Sequence, residues 1–366
     1  MKALLLLGVV GLSAGCGPAS RDDGMAGGPP ETADGGGGAT VVAPGGGGGG
    51  AGGTGGSSDG AGGGGTDSDG PAVPITPTVT FDWTDQEGPE YTAPGGGELV
   101  LHHLGEHDER VLTPAEEPEI AGASDGFALE VTTRAPDPGD SKAEREDKCR
   151  AELKVHDLPD EHSGIGNHYQ RLGVDYVYAL RMKVASDWDH HDYDLAAASF
   201  KDTGTSLLEL KQDYFPSNDA EKRNRDATFR IRTANQQCTM VVNGHEAYGA
   251  DYNEVVGGVK MTRERTVVDC ATLFDGDWHV ITVAARWSGD PDGYIRVYFD
   301  DHEVWNRGVA DDGTVVGAVT AFQDDPDLGP YFKFGQYNAF WKQGDAQGAQ
   351  AHRHFVDWVV LGTPAP

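Results

Sequence analysis

The sequence is short of basic residues, short of cysteine, and without an apolar run long enough to cross a bilayer. Lys and Arg number 28 against 59 Asp and Glu, and the 4 cysteines include no Cys-x-x-Cys pair. The acidic excess argues against a broad nucleic-acid-binding surface, and a polyanionic ligand would require a local basic groove. The cysteine pattern argues against a zinc site. The apolar run Ala3–Leu12 is too short for a transmembrane helix.

The N-terminus nevertheless has the pattern of an export signal. Lys2 precedes the apolar run, and small residues end it in Leu12-Ser13-Ala14-Gly15-Cys16. This pentapeptide resembles the bacterial lipobox, in which the cysteine is acylated and becomes the mature N-terminus. The resemblance implies a signal peptide over residues 1–16, a lipid anchor at Cys16 and, because Gly17 is not acidic, an outer-membrane location. It leaves open whether the anchored protein faces the periplasm or the exterior.

Residues 17–75 lack aromatic side chains and consist mainly of Gly with Ala, Thr, Ser, Asp and Pro. Such a composition cannot bury enough apolar surface to offset the entropy of ordering, so we expect a disordered linker. A Gly-rich coil of about 60 residues has an r.m.s. length of roughly 40 Å, enough to hold a domain away from a membrane. Residues 76–366 show no internal repeat and no second linker, which predicts one folded domain.

Three cysteines remain in that domain, Cys149, Cys238 and Cys270. An exported chain meets an oxidising compartment, which permits one disulfide. The spacing does not decide which pair forms. We favour Cys238 with Cys270, because both flank strand-like segments of one β region.

The folded domain has the pattern of short strands almost throughout. Segments rich in β-branched and aromatic residues are separated by Gly, Asp, Pro and Asn clusters, and one stretch, Asn218–Arg225, suggests a short helical turn. Many antiparallel strands with long loops predict an all-β sandwich, a concanavalin-like jelly roll with a concave groove. The predicted strands include Tyr176–Val184, Ala227–Thr233, Trp278–Trp287 and Tyr294–Phe299.

Four further strand segments carry one apolar face and one face of charged or phenolic side chains, because alternate side chains of a strand point to opposite sides of the sheet. A solvated outer sheet would also give this pattern. Mixed charges and tyrosines, in place of Thr, Ser and Gln, favour a polar groove. The polar-face residues are Arg150, Glu152 and Lys154; Glu209, Lys211 and Asp213; Thr228, Arg230 and Arg232; and Tyr331, Lys333 and Tyr337.

Two of these strands carry a family resemblance. Arg150-Ala-Glu-Leu-Lys154 resembles the Arg-x-Glu-x-Arg/Lys strand of jelly-roll polysaccharide lyases, and Tyr331-Phe-Lys-Phe-Gly-Gln-Tyr337 is similar to their Tyr-Phe-Lys-x-Gly-x-Tyr strand. The segments around Trp278, Trp287 and Tyr294 resemble Trp-rich segments of the heparin-lyase and glucuronan-lyase branch. The motifs occur in the family's order, which implies cleavage of a uronic-acid polysaccharide by β-elimination.

The resemblance also implies a role for several side chains. Arg150 would neutralise a uronate carboxylate with Glu152 as its orienting partner, while Lys333 and Lys154 would bind neighbouring carboxylates. Tyr337 would protonate the leaving glycosidic oxygen and would also be able to act as the base.

The middle strand departs from the family. Alginate-type members carry Gln-x-His there, whereas this chain has Glu209-Leu210-Lys211. Lys211 would replace the histidine as a base or as a carboxylate ligand, and Glu209 would repel the substrate unless its carboxylate is protonated or paired. His168 is an alternative base. Glu209 and Arg232 complete the expected substrate-binding residues.

Two other functions fit the same polar face. A glycoside hydrolase needs two carboxylates at a defined separation, but Glu209 and Asp213 lack the Glu-x-Asp-x-Glu pattern common in the related sandwich enzymes. A carbohydrate-binding lipoprotein without activity accounts equally well for a groove and a tether. The expected partners are an anionic polysaccharide and a membrane, and no nucleic acid. We expect a monomer that requires no cofactor, with room for a structural calcium ion.

Overall fold

The computed structural model describes most of the predicted folded domain. The described residues lie in one compact unit, Gly64–Pro366. No helix among them is long and apolar enough to cross a membrane. The predicted signal segment, Cys16, the linker as far as residue 69 and the turn predicted at Asn218–Arg225 lie outside them. Described are residues 70–83, 90–92, 98–102, 110–156, 158, 170–188, 204–212, 227–245, 254–256, 259–321, 326–338, 341 and 351–366.

Strands dominate this part of the chain. They are β1 (Ile75–Asp82), β2 (Glu90–Thr92), β3 (Glu98–His102), β4 (Arg110–Leu112), β5 (Ala128–Arg134), β6 (Arg150–His156), β7 (Asp175–Val184), β8 (Thr205–Lys211), β9 (Ala227–Ala234), β10 (Gln237–His245), β11 (Glu254–Val256), β12 (Val259–Asp269), β13 (His279–Arg286), β14 (Tyr294–Phe299), β15 (His302–Arg307), β16 (Tyr331–Asn338) and β17 (Ala351–Pro364). One α-helix, α1 (Lys142–Lys148), and two 3₁₀ turns, Pro118–Ile120 and Ala271–Phe274, complete the elements of the described residues.

The strands form two antiparallel sheets. The first has the order β15-β14-β13-β7-β17-β5-β4, with β1 also paired to β17, and the second has the order β11-β12-β10-β9-β8-β16-β6-β3-β2. Strand β16, late in the chain, is inserted between β6 and β8. Such crossing connections are those of a jelly roll, so the predicted all-β sandwich is confirmed.

The hydrophobic core lies between the two sheets. Tyr178 of the first sheet packs against Phe332 of the second with ring centroids 5.2 Å apart, and Phe229 stacks against Trp305 at 5.9 Å. Each contact joins one sheet to the other, and all four side chains are buried. Burying one large apolar side chain contributes roughly 1.5–3 kcal/mol, so these contacts hold the sheets face to face.

Three predictions of local structure can be compared with the fold. The predicted strands agree with β7, β9, β13 and β14 to within one residue at each end. The favoured disulfide forms between Cys238 and Cys270, while Cys149 is buried and takes no part in a disulfide. Helix α1 was missed, although the sequence carries its signal. Ser141 and Glu144 form a capping box, in which each side chain accepts a hydrogen bond from the other residue's backbone N–H.

The core side of β16 is pinned by buried polar groups. Gln336 Nε2 donates to His354 Nδ1 at 2.6 Å and Gln336 Oε1 accepts from Thr133 Oγ1 at 2.6 Å. Asn338 Nδ2 lies 3.0 Å from His352 Nδ1. Since buried networks of this kind fix one arrangement, they hold the position of the strand whose other face carries Lys333 and Tyr337.

Gly335 is required by the close approach of β16 to β6. Its φ is +117°, and a Cβ there would lie 2.3 Å from the carbonyl oxygen of Ala151. A larger residue would therefore force the two strands apart. This explains the glycine between Lys333 and Tyr337.

Candidate functional site

Four neighbouring strands, β6, β16, β8 and β9, bring the predicted polar residues together on the outer face of the second sheet. Cross-strand partners in an antiparallel sheet project to the same side. The register pairs Tyr337 with Arg150, Lys333 with both Lys154 and Glu209, Tyr331 with Lys211, Glu209 with Arg230, and Ser206 with both Tyr337 and Arg232. We call this surface, formed by Arg150, Glu152, Lys154, Ser206, Glu209, Lys211, Arg230, Arg232, Tyr331, Lys333 and Tyr337, the polar face.

Arg150 lies over Tyr337 at one end of the polar face. The guanidinium carbon is 4.0 Å from the centroid of the tyrosine ring, a cation–π contact. The Nε of Arg150 is 2.9 Å from Glu152 Oε2. Glu152 is therefore placed to orient Arg150, and the guanidinium and the phenol lie side by side.

Lys333 occupies the centre of the polar face and is fully buried. Its Nζ lies 3.0 Å from the same Glu152 oxygen that contacts Arg150. One carboxylate is thus shared by two cations, which leaves an excess of positive charge at the centre. Burying such a group is tolerated because the ammonium is paired and hydrogen-bonded.

A second contact of a cation with an aromatic ring lies farther along the same two strands. Lys154 Nζ is 4.2 Å from the centroid of the Tyr331 ring. Tyr331 is itself the register partner of Lys211 on β8. Two phenols, each beside a cation, therefore border Lys333 along β16.

Glu209 is a buried carboxylate that faces Arg230. Its Oε1 lies 3.8 Å from Arg230 Nε. Desolvation favours the neutral acid, but the positive charges of Arg230, Lys333 and Lys211 outweigh it and hold the pKa of Glu209 below its ordinary value. Glu209 is thus ionised and paired, which answers the repulsion expected from the sequence.

Lys211 differs from the other cations of the polar face. Its amine makes no hydrogen bond or ion pair with any described residue. Desolvation, together with the nearby charge of Lys333, lowers the pKa of Lys211 to about 8, against the opposing effect of Glu209 and Glu152. A useful fraction of this amine is neutral near physiological pH, as a general base requires.

The polar face is basic although the chain is acidic. Among the described residues it carries six cations, Arg150, Lys154, Lys211, Arg230, Arg232 and Lys333, against the two carboxylates Glu152 and Glu209, whereas the whole chain has a formal charge of −31. Such a local basic surface is what an anionic ligand would require.

The structure brings eight of the predicted site residues to this one surface: Arg150, Glu152, Lys154, Glu209, Lys211, Arg232, Lys333 and Tyr337. His168, the alternative base, and Cys16 lie outside the described residues. Three members of the polar face were not among the predicted site residues. Arg230 and Tyr331 share the alternation with Arg232 and Lys333 and could have been found by it, whereas Ser206 follows from the register alone.

Metal binding has little support in the described part of the chain. No group of three or more His, Cys, Asp or Glu side chains there is arranged to hold an ion. The structural calcium ion allowed by the sequence stays a prediction.

Comparison with known proteins identifies a family. The sequence model of a family described as "Polysaccharide lyase" matches residues 115–357, more than half of the chain. No curated protein matches.

Among solved structures, the chain is similar to an endo-β-1,4-glucuronan lyase from the fungus Trichoderma reesei. The two share 16% sequence identity with a TM-score of 0.50, and the match covers 79% of this chain and 96% of that chain. This likeness shows the fold. A botulinum neurotoxin serotype D/C binding domain also matches at 7% identity and a TM-score of 0.41, over 80% of this chain and 50% of that one, which is too distant to bear on function.

Proposed function

Since the chain belongs to the polysaccharide lyase family, we propose that its polar face binds a glycan containing uronic acids and cleaves it by β-elimination. The observation that carries the proposal is the convergence of Arg150, Lys333, Lys211 and Tyr337 on one surface. Together they offer fixed positive charge, an amine of lowered pKa and a phenol. These are the groups that the reaction needs.

The charge of the polar face supports a uronate substrate. Six cations against two carboxylates would attract a chain of sugar acids. The two carboxylates are already paired, Glu152 with Arg150 and Lys333, and Glu209 with Arg230. They would therefore not repel the carboxylates of the glycan.

The first requirement of the reaction is to acidify the proton on C5 of the uronate. This proton leaves readily once the adjacent carboxylate is neutralised, because removal of the proton spreads negative charge onto it. Arg150 would hold the carboxylate, and the buried charge of Lys333 behind it would help to stabilise the negative charge in the transition state. Both cations are oriented in advance by Glu152, so little reorganisation is needed.

The second requirement is a base and an acid. The neutral amine of Lys211 takes the C5 proton, the electron pair forms a C4–C5 double bond, and the C4–O bond breaks. The Tyr337 hydroxyl gives its proton to the departing glycosidic oxygen. Lys211 and Tyr337 align with opposite ends of β8, roughly 17 Å apart along the strand, so both long side chains would have to extend toward Lys333 to reach C5 and the adjoining glycosidic oxygen of one sugar.

The geometry favours a lyase over a glycoside hydrolase. A hydrolase of the two-carboxylate type needs one carboxylic acid held protonated at its working pH. Glu209 is not such a protonated acid, because the cations around it lower its pKa and keep the carboxylate ionised. Glu152 does not meet the requirement either, because it is paired with the two cations Arg150 and Lys333.

The test is a screen of polysaccharides with the purified protein. Alginate, glucuronan, pectate, hyaluronan and heparin would each be followed for ultraviolet absorbance of the new double bond and for reducing ends. We expect both signals together on at least one polyuronate. Reducing ends without absorbance would indicate a hydrolase, and binding without either signal would indicate a carbohydrate-binding protein; both outcomes would refute the proposal.

We also propose that the protein is a lipoprotein anchored through Cys16 in the outer membrane. The lipobox-like pentapeptide and the Gly-rich linker support this location. The first described residues support an orientation in which the folded domain is tethered from its first sheet. The backbone N–H of Ala72 donates to Thr282 Oγ1, on β13 of that sheet, at 3.3 Å. Thr282 lies on the side of the first sheet that faces away from the core, whereas the polar face belongs to the second sheet.

A further inference from the structure

The Glu209 carboxylate has cationic register partners on both sides. On β16 its partner is Lys333 and on β9 its partner is Arg230. The carboxylate pairs on the β9 side, with Oε1 3.8 Å from Arg230 Nε. Lys333 pairs instead with Glu152. Within the described part of the chain, no ion pair joins Glu209 to Lys333 or to Lys211.

The position of Glu209 matters because Lys211 is two residues away on the same face of β8. The other charged or titratable groups that face Lys211 from the described strands are Lys333 and Tyr331 on β16, Arg150, Glu152 and Lys154 on β6, and Arg230 on β9. Of these, Glu152 is held by Arg150 and Lys333. Glu209 is therefore the carboxylate best placed to become a counter-ion of Lys211.

We propose that Arg230 is a positioning residue that keeps the Glu209 carboxylate on the β9 side of the polar face, so that the Lys211 amine has no counter-ion among the described side chains and can act as the base. The inference rests on the lyase function proposed above and assigns a role to a residue that need not touch the reacting atoms. Without Arg230, the carboxylate is free to turn toward Lys211. An adjacent opposite charge favours the protonated amine and would remove the base at neutral pH.

The direct test measures the ionisation of Lys211 without substrate. Trace acetic anhydride labels neutral amines, and peptide mass spectrometry across a pH series gives the midpoint for each lysine. In the unaltered protein we expect the Lys211 midpoint near its pKa of about 8. In Arg230→Gln we expect it to rise by about one pH unit or more, because Glu209 becomes its partner.

A double variant shows whether Arg230 acts through Glu209. In a Glu209→Gln background, Arg230→Gln should shift the Lys211 midpoint much less than it does alone, since the carboxylate that it positions is gone. An equal shift in both backgrounds would mean a direct charge effect and would overturn the proposal. An unchanged midpoint in Arg230→Gln would overturn it as well.

Two further variants separate the proposal from a general loss of structure. Arg230→Met also removes the charge while keeping a long side chain. If the glutamine variant does not fold, Arg230→Met takes its place, and we expect the same rise in the Lys211 midpoint. Arg296 pairs with Glu303 at the same 3.8 Å separation on β14 of the other sheet. Arg296→Gln is therefore the matched control, and we expect it to leave the Lys211 midpoint and the activity unchanged.

The activity profile distinguishes this inference from the proposed function. With an active glycan, the acidic limb of kcat/KM against pH should move upward in Arg230→Gln by the same amount as the Lys211 labelling midpoint. A labelling shift without any lyase activity would uphold the positioning role and refute the function. Lyase activity whose acidic limb stays in place would uphold the function and refute the positioning role.

Discussion

Lys333 Nζ lies 3.0 Å from Glu152 Oε2, and both side chains are buried at the centre of the polar face. Removing the carboxylate leaves a buried cation without its partner, which costs about 3–5 kcal/mol. We expect Glu152→Gln to lower the free energy of unfolding by this amount in urea titrations. Replacing the lysine as well, in Glu152→Gln/Lys333→Met, should recover part of the loss because the buried charge is gone.

The exposed Glu303, which pairs with Arg296, provides the comparison for that prediction. Glu303→Gln should cost about 1 kcal/mol or less, as is usual for solvated ion pairs. If Glu152→Gln and Glu303→Gln lower the free energy of unfolding equally, the ion pair of Lys333 with Glu152 is not buried as described.

Tyr337→Phe tests the proposed acid. Phenylalanine keeps the ring beneath Arg150, so the fold and glycan binding should be preserved. The hydroxyl proton is lost, and we expect kcat to fall by roughly 10²–10⁴, the usual contribution of a positioned acid or base. Tyr298→Phe on the first sheet is the control and should be fully active. Elimination at the normal rate in Tyr337→Phe would remove Tyr337 from the mechanism.

Arg150 tests the proposed stabilisation of the developing charge. We expect Arg150→Ala to lower kcat/KM by roughly 10²–10³, the typical loss of one preorganised donor. Arg150→Lys should recover part of it, because the charge remains but the planar fork is lost. The measurement is the initial rate of double-bond formation. A rate unaltered in Arg150→Ala would refute the assigned role.

The buried His354 leads us to expect that the free energy of unfolding decreases in acid. Burial lowers the pKa of His354 to about 3, whereas an unfolded histidine titrates near 6.5. The unfolded chain therefore takes up a proton first as the pH falls, so the stabilisation present above pH 6.5 is lost progressively toward pH 3. The total amounts to roughly 5 kcal/mol, which urea unfolding at several pH values would measure. In His354→Gln this component should disappear; an unchanged pH slope would contradict the prediction.

Cys16→Ser tests the anchor. Without the thiol no acyl chain can be attached, so we expect the protein to move from the membrane fraction to the soluble fraction of the producing cells. Cys149→Ser, which alters a buried thiol in the folded domain, is the control and should leave the distribution unchanged. Retention of Cys16→Ser in the membrane fraction would refute lipid anchoring.

Much of the polar face was predictable because a strand has a period of two. Alternation alone assigned Arg150, Glu152, Lys333 and Tyr337 to polar faces of their strands, and the structure agrees. The missed helix α1 shows a different limit. Its capping box can be recognised in the sequence, but a short polar helix lacks the apolar periodicity from which helices are predicted.

What the sequence could not supply was the pairing between strands. Alternation puts Glu209 and Arg230 on polar faces, but the 3.8 Å ion pair between them exists because β8 and β9 are neighbours in a given register. A shift by one residue would have sent one of the two side chains into the core.

The amino-acid sequence by itself determined the all-β character of the folded domain, the two faces of each strand and the motifs of the family, because these depend on residues close together in the chain. The tertiary structure decided which strands lie side by side, how Glu152 is shared by Arg150 and Lys333, and why Lys211 has no counter-ion among the residues that the structure describes. Those properties arise between segments far apart in sequence, where burial and the neighbouring charges set the state of each group.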